Sequence, residues 1–157
     1  MINIDVRTIK DRVGQEIAVS DWLEVSQERI NQFADATDDH QWIHIDGARA
    51  AAESPFKSTI AHGFLTLSLL STLIRESIHV TGLRMAINYG LNRVRFVSPV
   101  LAGSRIRAAI TLQAVEQVSG GYQVSWNVVI ERERGDKPAC VVEWVVRYYP
   151  EAPAPSP

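Results

Sequence analysis

Residues 60 to 78 read Ile-Ala-His-Gly-Phe-Leu-Thr-Leu-Ser-Leu-Leu-Ser-Thr-Leu-Ile-Arg-Glu-Ser-Ile, the greasiest stretch of a 157-residue chain. After Gly63 the apolar residues Phe64, Leu65, Leu67, Leu69, Leu70, Leu73 and Ile74 go most of the way round a helical wheel, the pattern of a buried helix. The run stops at Arg75, short of the roughly 18 to 20 apolar residues that a membrane span needs. It therefore predicts a core helix from Gly63 to about Ile78 and no insertion into a membrane.

Downstream of about Gly82 the period changes from that of a helix to that of a strand. Met85, Ile87, Tyr89 and Leu91 alternate onto one expected face, as do Val94 and Phe96, then Ile106, Ala108, Ile110 and Leu112. Two more runs follow, Tyr122 to Ile130 and Cys140 to Tyr148, with Gly120-Gly121 and Gly135-Asp136 as hairpin turns. A sheet with one apolar face must cover it, and the only partner of sufficient length is the helix after Gly63. The predicted class is α+β, a curved antiparallel sheet wrapped around a long central helix, which is the hot-dog arrangement.

Upstream of that helix the pattern is of shorter pieces. A strand is expected near Glu16 to Val25, and Ser26 is a good N-cap for a helix carrying Ile30, Phe33 and Ala34. Val25 and Ile30 fall at the two positions of a hydrophobic staple. That helix should end near Thr37, because acids are disfavoured at a helix C-terminus and Asp38-Asp39 follow. Gly47 to Glu53 predicts another short helix, closed by Ser54-Pro55. Residues 1–149 form one expected domain, and the Pro-rich tail 150–157 is expected to be disordered.

The formal net charge of −2 leaves no footprint for nucleic acid or an anionic membrane. Cys140 is the only cysteine, so no intramolecular disulfide can form, and no Cys/His spacing suggests a zinc site. Charged residues in the first dozen positions argue against a signal peptide. A cytoplasmic location is the matching expectation.

Three of the four histidines cluster around the start of the buried helix: Asp39-His40-Gln41-Trp42-Ile43-His44 and then His62-Gly63. Lone acids and histidines in loops are most often solvated. Here the apolar neighbours Trp42, Ile43 and Ile45 suggest a loop packed onto the protein. A glycine at the helix start allows a ligand to approach the backbone, whose first N–H groups have no partner within the helix. A base, an acid and an oxyanion donor suit addition of water to an activated double bond, or removal of a proton next to a carbonyl. The residue types do not choose between these, and they name no substrate.

Phe33-Ala-Asp-Ala-Thr-Asp-Asp-His-Gln-Trp-Ile-His-Ile-Asp46 followed by Ile60-Ala-His-Gly-Phe64 resembles the MaoC-like hot-dog hydratases, the (R)-specific enoyl-CoA hydratases. The likeness continues through residues 86–96 and Lys137-Pro-Ala-Cys-Val141, and is nearest to a mycobacterial and nodulation-protein-N-like branch. One departure is Gln41-Trp42, where many members carry Asn-Pro; the bulkier tryptophan would reshape the pocket wall and alter acyl preference. The resemblance implies (R)-specific, reversible hydration of trans-2-enoyl-CoA to 3-hydroxyacyl-CoA. Asp39 and His44 would be the catalytic dyad sharing one water, and the Gly63 N–H the oxyanion donor. It further implies a supporting role for Ser71, a homodimer, and no metal or separate cofactor, coenzyme A being part of the substrate. On that reading His62 is a substrate-side candidate, and Asn92, Arg93 and Arg95 are candidates for the coenzyme A phosphates. His40 is expected at the surface, His79 as a helix C-cap, and Trp126 and Trp144 in the core or an interface. Two alternatives are a dehydratase acting on 3-hydroxyacyl groups held by a carrier protein, and a non-catalytic acyl-thioester-binding protein.

Overall fold

Strands β2 (Glu16–Val19), β5 (Leu83–Phe96), β6 (Ser104–Val118), β7 (Gly121–Arg132) and β8 (Cys140–Pro150) line up in the order β2-β6-β7-β8-β5. In this computed structural model, which describes residues 1–152, the short β3 (Leu23–Val25) also pairs with β6, and the whole sheet is antiparallel. Cross-strand partners such as Ile110↔Val128↔Val142 and Leu112↔Trp126↔Trp144 share one face. That face is the expected apolar one: Ile106, Ile110, Leu112, Val124, Trp126, Val128, Ile130 and Val142 are fully buried. Helices α4 (Gly63–Ser68) and α5 (Leu70–Ser77) supply Leu65, Leu69, Leu70, Leu73 and Ile74 to the same core. This is the hot-dog arrangement.

Helix α1 (Gln27–Thr37) begins and ends as expected. The Ser26 side chain accepts from the Arg29 N–H at 3.2 Å, Val25 and Ile30 are both fully buried, and Asp38 leaves the helix in the left-handed region. Aspartate tolerates that conformation better than most side chains. Helix α3 (Gly47–Glu53) has the predicted bounds and is capped by Asp46, whose side chain accepts from the Arg49 N–H.

Several expectations are corrected. The central helix is broken at Leu69, because the Ser68 hydroxyl donates to the Phe64 carbonyl at 2.7 Å and the chain tightens there, with Thr72 N–H bonding Leu69 O. Side-chain back-bonding of this kind bends helices. The helix also stops at Ser77: β-branched Ile78, Val80 and Thr81 extend into β4 (Ile78–Thr81), which pairs in parallel with β1 (Ile2–Asp5). His79 is thus a strand residue and not a helix cap. The strand expected over residues 16–25 is two strands, β2 and β3. Phe64, counted with the core, is 70% exposed.

In β5 the pairing shifts between Asn88↔Val146 and Gly90↔Val145, leaving Tyr89 as an extra residue. A bulge flips the alternation beyond it. Met85 and Ile87 therefore lie on the outer face opposite Tyr149 and Arg147, whereas Leu91 joins the inner face opposite Trp144. At the other end, Pro150 pairs with Leu83 as the last residue of β8, and the Glu151 N–H bonds Gly82 O, so ordered strand runs past residue 149. The remainder of the predicted tail, residues 153–157, lies outside the described residues.

Candidate active site

The loop from Asp38 to Gln41 leads into α2 (Trp42–Ile45), a single helical turn that the sequence reading treats as loop. That turn makes the spacing between Asp39 and His44 effective, since it folds the chain back and turns His44 inward, to 7% exposure. Three bonds hold it. The Gln27 side-chain amide donates to His44 O at 2.7 Å, the Ile60 N–H donates to Ile43 O at 3.0 Å, and His44 Nδ1 lies 2.7 Å from Ile60 O. Residues 59–61 are in turn strapped to the loop before β6, through Ala61 N–H to Val100 O and Ala102 N–H to Thr59 O.

A carbonyl oxygen only accepts, so His44 Nδ1 must carry a proton, and in the neutral ring Nε2 holds the lone pair. Burial pushes the His44 pKa below its usual 6.5, against the opposing pull of the Ile60 bond; the charge of His62 lowers it further and that of Asp39 raises it. His62 is 3% exposed, its ring stacked on His44 with centroids 3.8 Å apart and planes 25° apart. Its Nε2 lies 2.9 Å from the Asp39 carbonyl oxygen and 4.0 Å from the Asp39 carboxylate. A carboxylate oxygen of Asp39, a ring nitrogen of His44 and a ring nitrogen of His62 all lie within 4.8 Å of one another. Two hydrogen bonds through a single water span up to about 5.6 Å, so the acid and the base are within reach of one shared water. The same three donors are close enough for a divalent cation, but in-plane lone pairs on two stacked rings point along nearly parallel planes and converge poorly on one ion.

Gly63 is the first residue of α4, so its N–H has no carbonyl one turn earlier to bind. A cleft of about 290 Å³ opens beside it, lined among others by Ile60, Thr66, Phe96, Val97 and Pro99. A Cβ on Gly63 would sit 3.2 Å from the Phe96 ring, so glycine lets strand β5 close over the helix start. Neither Asp39 nor His44 lines this cleft within one chain; His44 is bonded to Ile60, one of its walls. Eight residues further on, Ser71 lines a second, more apolar cleft of about 310 Å³ between α5 and strands β5 and β8, with Ile74, Ala86, Asn88 and Trp144. The Trp144 indole donates to Asn88 Oδ1 at 2.7 Å across its floor.

Other predicted residues sit elsewhere. Trp42 packs under the Arg49 guanidinium, 4.4 Å from its ring centroid, and not on the wall of the Gly63 cleft. Arg93 and Arg95 pair opposite Glu143 and Val141 on the outer face of the sheet, and Asn92 is the extra residue of a second bulge; none is brought to the cleft. His40 is at the surface, paired with Asp35 at 2.9 Å. Sequence reasoning missed Gln27 and Thr59, whose mutual hydrogen bond braces α2, because nothing in their spacing marks them. It also missed a groove of about 400 Å³ on the far side of Pro99, bordered by Trp22, Arg132, Arg134 and Lys137. Arg132 donates to Pro99 O, and among the described residues Arg134 and Lys137 have no ion-pair partner.

A hot-dog sheet whose helix start brings His62 against Asp39 and His44 belongs to a recognisable class, and the chain is a member of the MaoC-like dehydratase family, whose model, described as a MaoC like domain, matches residues 8–133. It is 52% identical over 136 residues to 3-hydroxyacyl-thioester dehydratase Z of Mycobacterium tuberculosis, covering 86% of this chain and 89% of that protein. It is 44% identical over 153 residues to nodulation protein N of Rhizobium leguminosarum bv. viciae, covering 92% and 91%. Among solved structures it resembles the R-hydratase PhaJ1 of Pseudomonas aeruginosa, with a TM-score of 0.71, 26% identity and 92% and 89% of the two chains covered. The (R)-hydratase of A. caviae gives a TM-score of 0.70 at 27% identity, covering 85% and 94%.

Proposed function

We propose that the protein catalyses the reversible hydration of a trans-2-enoyl thioester to the (R)-3-hydroxyacyl thioester, with coenzyme A as the carrier. The observation that supports this reading is the grouping of Asp39 and His44 around His62, the residue that immediately precedes α4, with the acid and the base within reach of one shared water. Asp39 accepts one O–H of that water and orients it. His44 takes the other proton on Nε2 as the water oxygen bonds to C3, and returns it to C2 on the same face. The C2–C3 π electrons move through the thioester enolate and end in the new C2–H bond. While the enolate exists, the Gly63 N–H stabilises its oxygen, an interaction of the kind worth about 2.7–4 kcal/mol in the transition state. The (R) outcome follows the relatives that bear that name. The acyl chain would run along α5 towards the cleft at Ser71.

Coenzyme A is favoured over a carrier protein by the groove beyond Pro99. A thioester arm leaving Gly63 past Pro99 arrives at Arg132, Arg134 and Lys137, which with Arg107 outnumber the acids Glu131 and Asp136 of the same groove, and an excess of cations suits nucleotide phosphates. The homodimer expected from the family also fits, as β5 is an unpaired sheet edge with apolar residues exposed.

The direct test is loss of conjugated-thioester absorbance when the protein meets a trans-2-enoyl-CoA, with chiral analysis of the product. Asp39→Asn should be slower by roughly 10²–10⁴-fold. Parent-like turnover in that variant would remove Asp39 from the mechanism. Turnover of the carrier-bound thioester faster than of the coenzyme A thioester would reverse the choice of carrier.

A further inference from the structure

Asp39 is the least supported member of the site. It lies in the loop between α1 and α2, its side chain is 53% exposed, and its carboxylate accepts only a long bond of 3.4 Å, from the Gln41 N–H. A group so placed should wander, yet proton transfer requires it to stay within a fraction of an ångström. Among the described residues, the buried group that reaches this loop is His62. Its Nε2 faces a carbonyl oxygen at 2.9 Å and must therefore carry the proton, while Nδ1 is buried with no hydrogen-bond partner. Leaving Nδ1 unpaired is unfavourable, so the ring orientation is held by what Nε2 and the ring faces touch. Those contacts are the Asp39 carbonyl, the stacked His44 ring, and the Phe33 ring at 5.0 Å from α1.

We infer that His62 is the positioning residue of the dyad: its Nε2–H tethers the Asp39 backbone while its ring face buttresses His44, so that one side chain fixes the distance between acid and base. His62 does not line the cleft at Gly63, and its Nε2–H is directed at the Asp39 carbonyl oxygen. The tether matters more than the stack. His44 is independently held through Ile60 and Gln27, whereas the Asp39 carbonyl has no other hydrogen bond among the described residues. The inference rests on the hydratase reading for its kinetic test and on the hydrogen bond alone for its spectroscopic one.

The two variants separate the roles. A glutamine can present an N–H where His62 Nε2 lies but cannot stack, and a phenylalanine keeps the ring without the donor. With a trans-2-enoyl-CoA, His62→Phe should lower kcat roughly 10–100-fold, the scale of an ångström of misplacement. KM should stay within about twofold, since no substrate contact is lost, and His62→Gln should recover kcat to within about fivefold of the parent. Unchanged kcat in a folded His62→Phe variant would overturn the inference, as would a rise in KM alone or a His62→Gln variant as slow as His62→Phe. A second measurement needs no variant. ¹⁵N-labelled histidine in the parent protein should show His62 protonated on Nε2 in a hydrogen bond, and a proton on Nδ1 instead would also overturn it. If the parent fails to hydrate any enoyl thioester while this signature is present, the hydratase reading falls and the tether stands.

Discussion

His44 shows how a single hydrogen bond assigns a chemical role. The Ile60 carbonyl fixes the proton on Nδ1, leaving Nε2 as the base, and burial favours the neutral ring over the charged one relative to a free histidine. The sign of the pH dependence follows. A base must be neutral to act, so kcat/KM should be level near pH 7 and fall on the acid side, with an apparent pKa below 6.5. The unfolded chain binds this proton at higher pH than the folded one does. Stability should therefore drop as pH falls from about 6.5 through the folded-state pKa of His44, and a His44→Gln variant should lose that part of the pH dependence in thermal melts. A rate that rises on acidification through the same range would contradict the assigned role.

Among the elements, those most legible in the sequence are those fixed by local chemistry. Ser26 caps α1, Asp38 ends it, and α3 has its predicted bounds because caps and breakers act over a few residues. The elements that were missed depend on distant partners. One turn of helix at Trp42–Ile45 has no periodicity to detect, and it exists because Ile60 and Gln27 hold it. The switch from helix to strand at Ile78 needs β1, seventy-odd residues earlier, as its partner. Gly121 belongs to the same scale. A Cβ there would run into the Tyr148 carbonyl of the neighbouring strand, so Gly121→Ala should destabilise by about 1–3 kcal/mol, the usual cost of overpacking. Equilibrium unfolding in denaturant reads that change, and a loss under about 0.5 kcal/mol would show that the hairpin yields.

Across the whole molecule the unfinished surface is β5. Among the described residues it stands at the end of the strand order, bonded only to β8, and exposes Met85, Ile87, Tyr89 and Leu91 at 41–55% together with Phe64 at 70%. An edge of this length and apolarity needs a cover, and a second copy adding its own β5 would extend the sheet and shield the Phe64–Phe96 pair beside Gly63. Light scattering should give a dimer at micromolar concentration. Ile87→Lys, on the outer face, should shift the mass towards monomer and lower hydration activity with it. A parent protein that is monomeric, or an Ile87→Lys variant that stays dimeric, would place the contact elsewhere.

The roles of Asp39, His44 and Gly63 come from the family resemblance, whereas the apolar face of β6 to β8, the Ser26 cap of α1, the bounds of α3 and the clustering of histidines at the start of the buried helix are written in residue type and spacing. They depend on interactions a few positions long, or on a period that every residue in a strand repeats. Distances between residues far apart in sequence decided the rest. The bulge that turns Leu91 inward, the His62 contact with Asp39 and the groove beyond Pro99 each arise where two segments meet with fixed offset. A one-residue shift in such a meeting reverses which side chain faces which, and no local pattern records it.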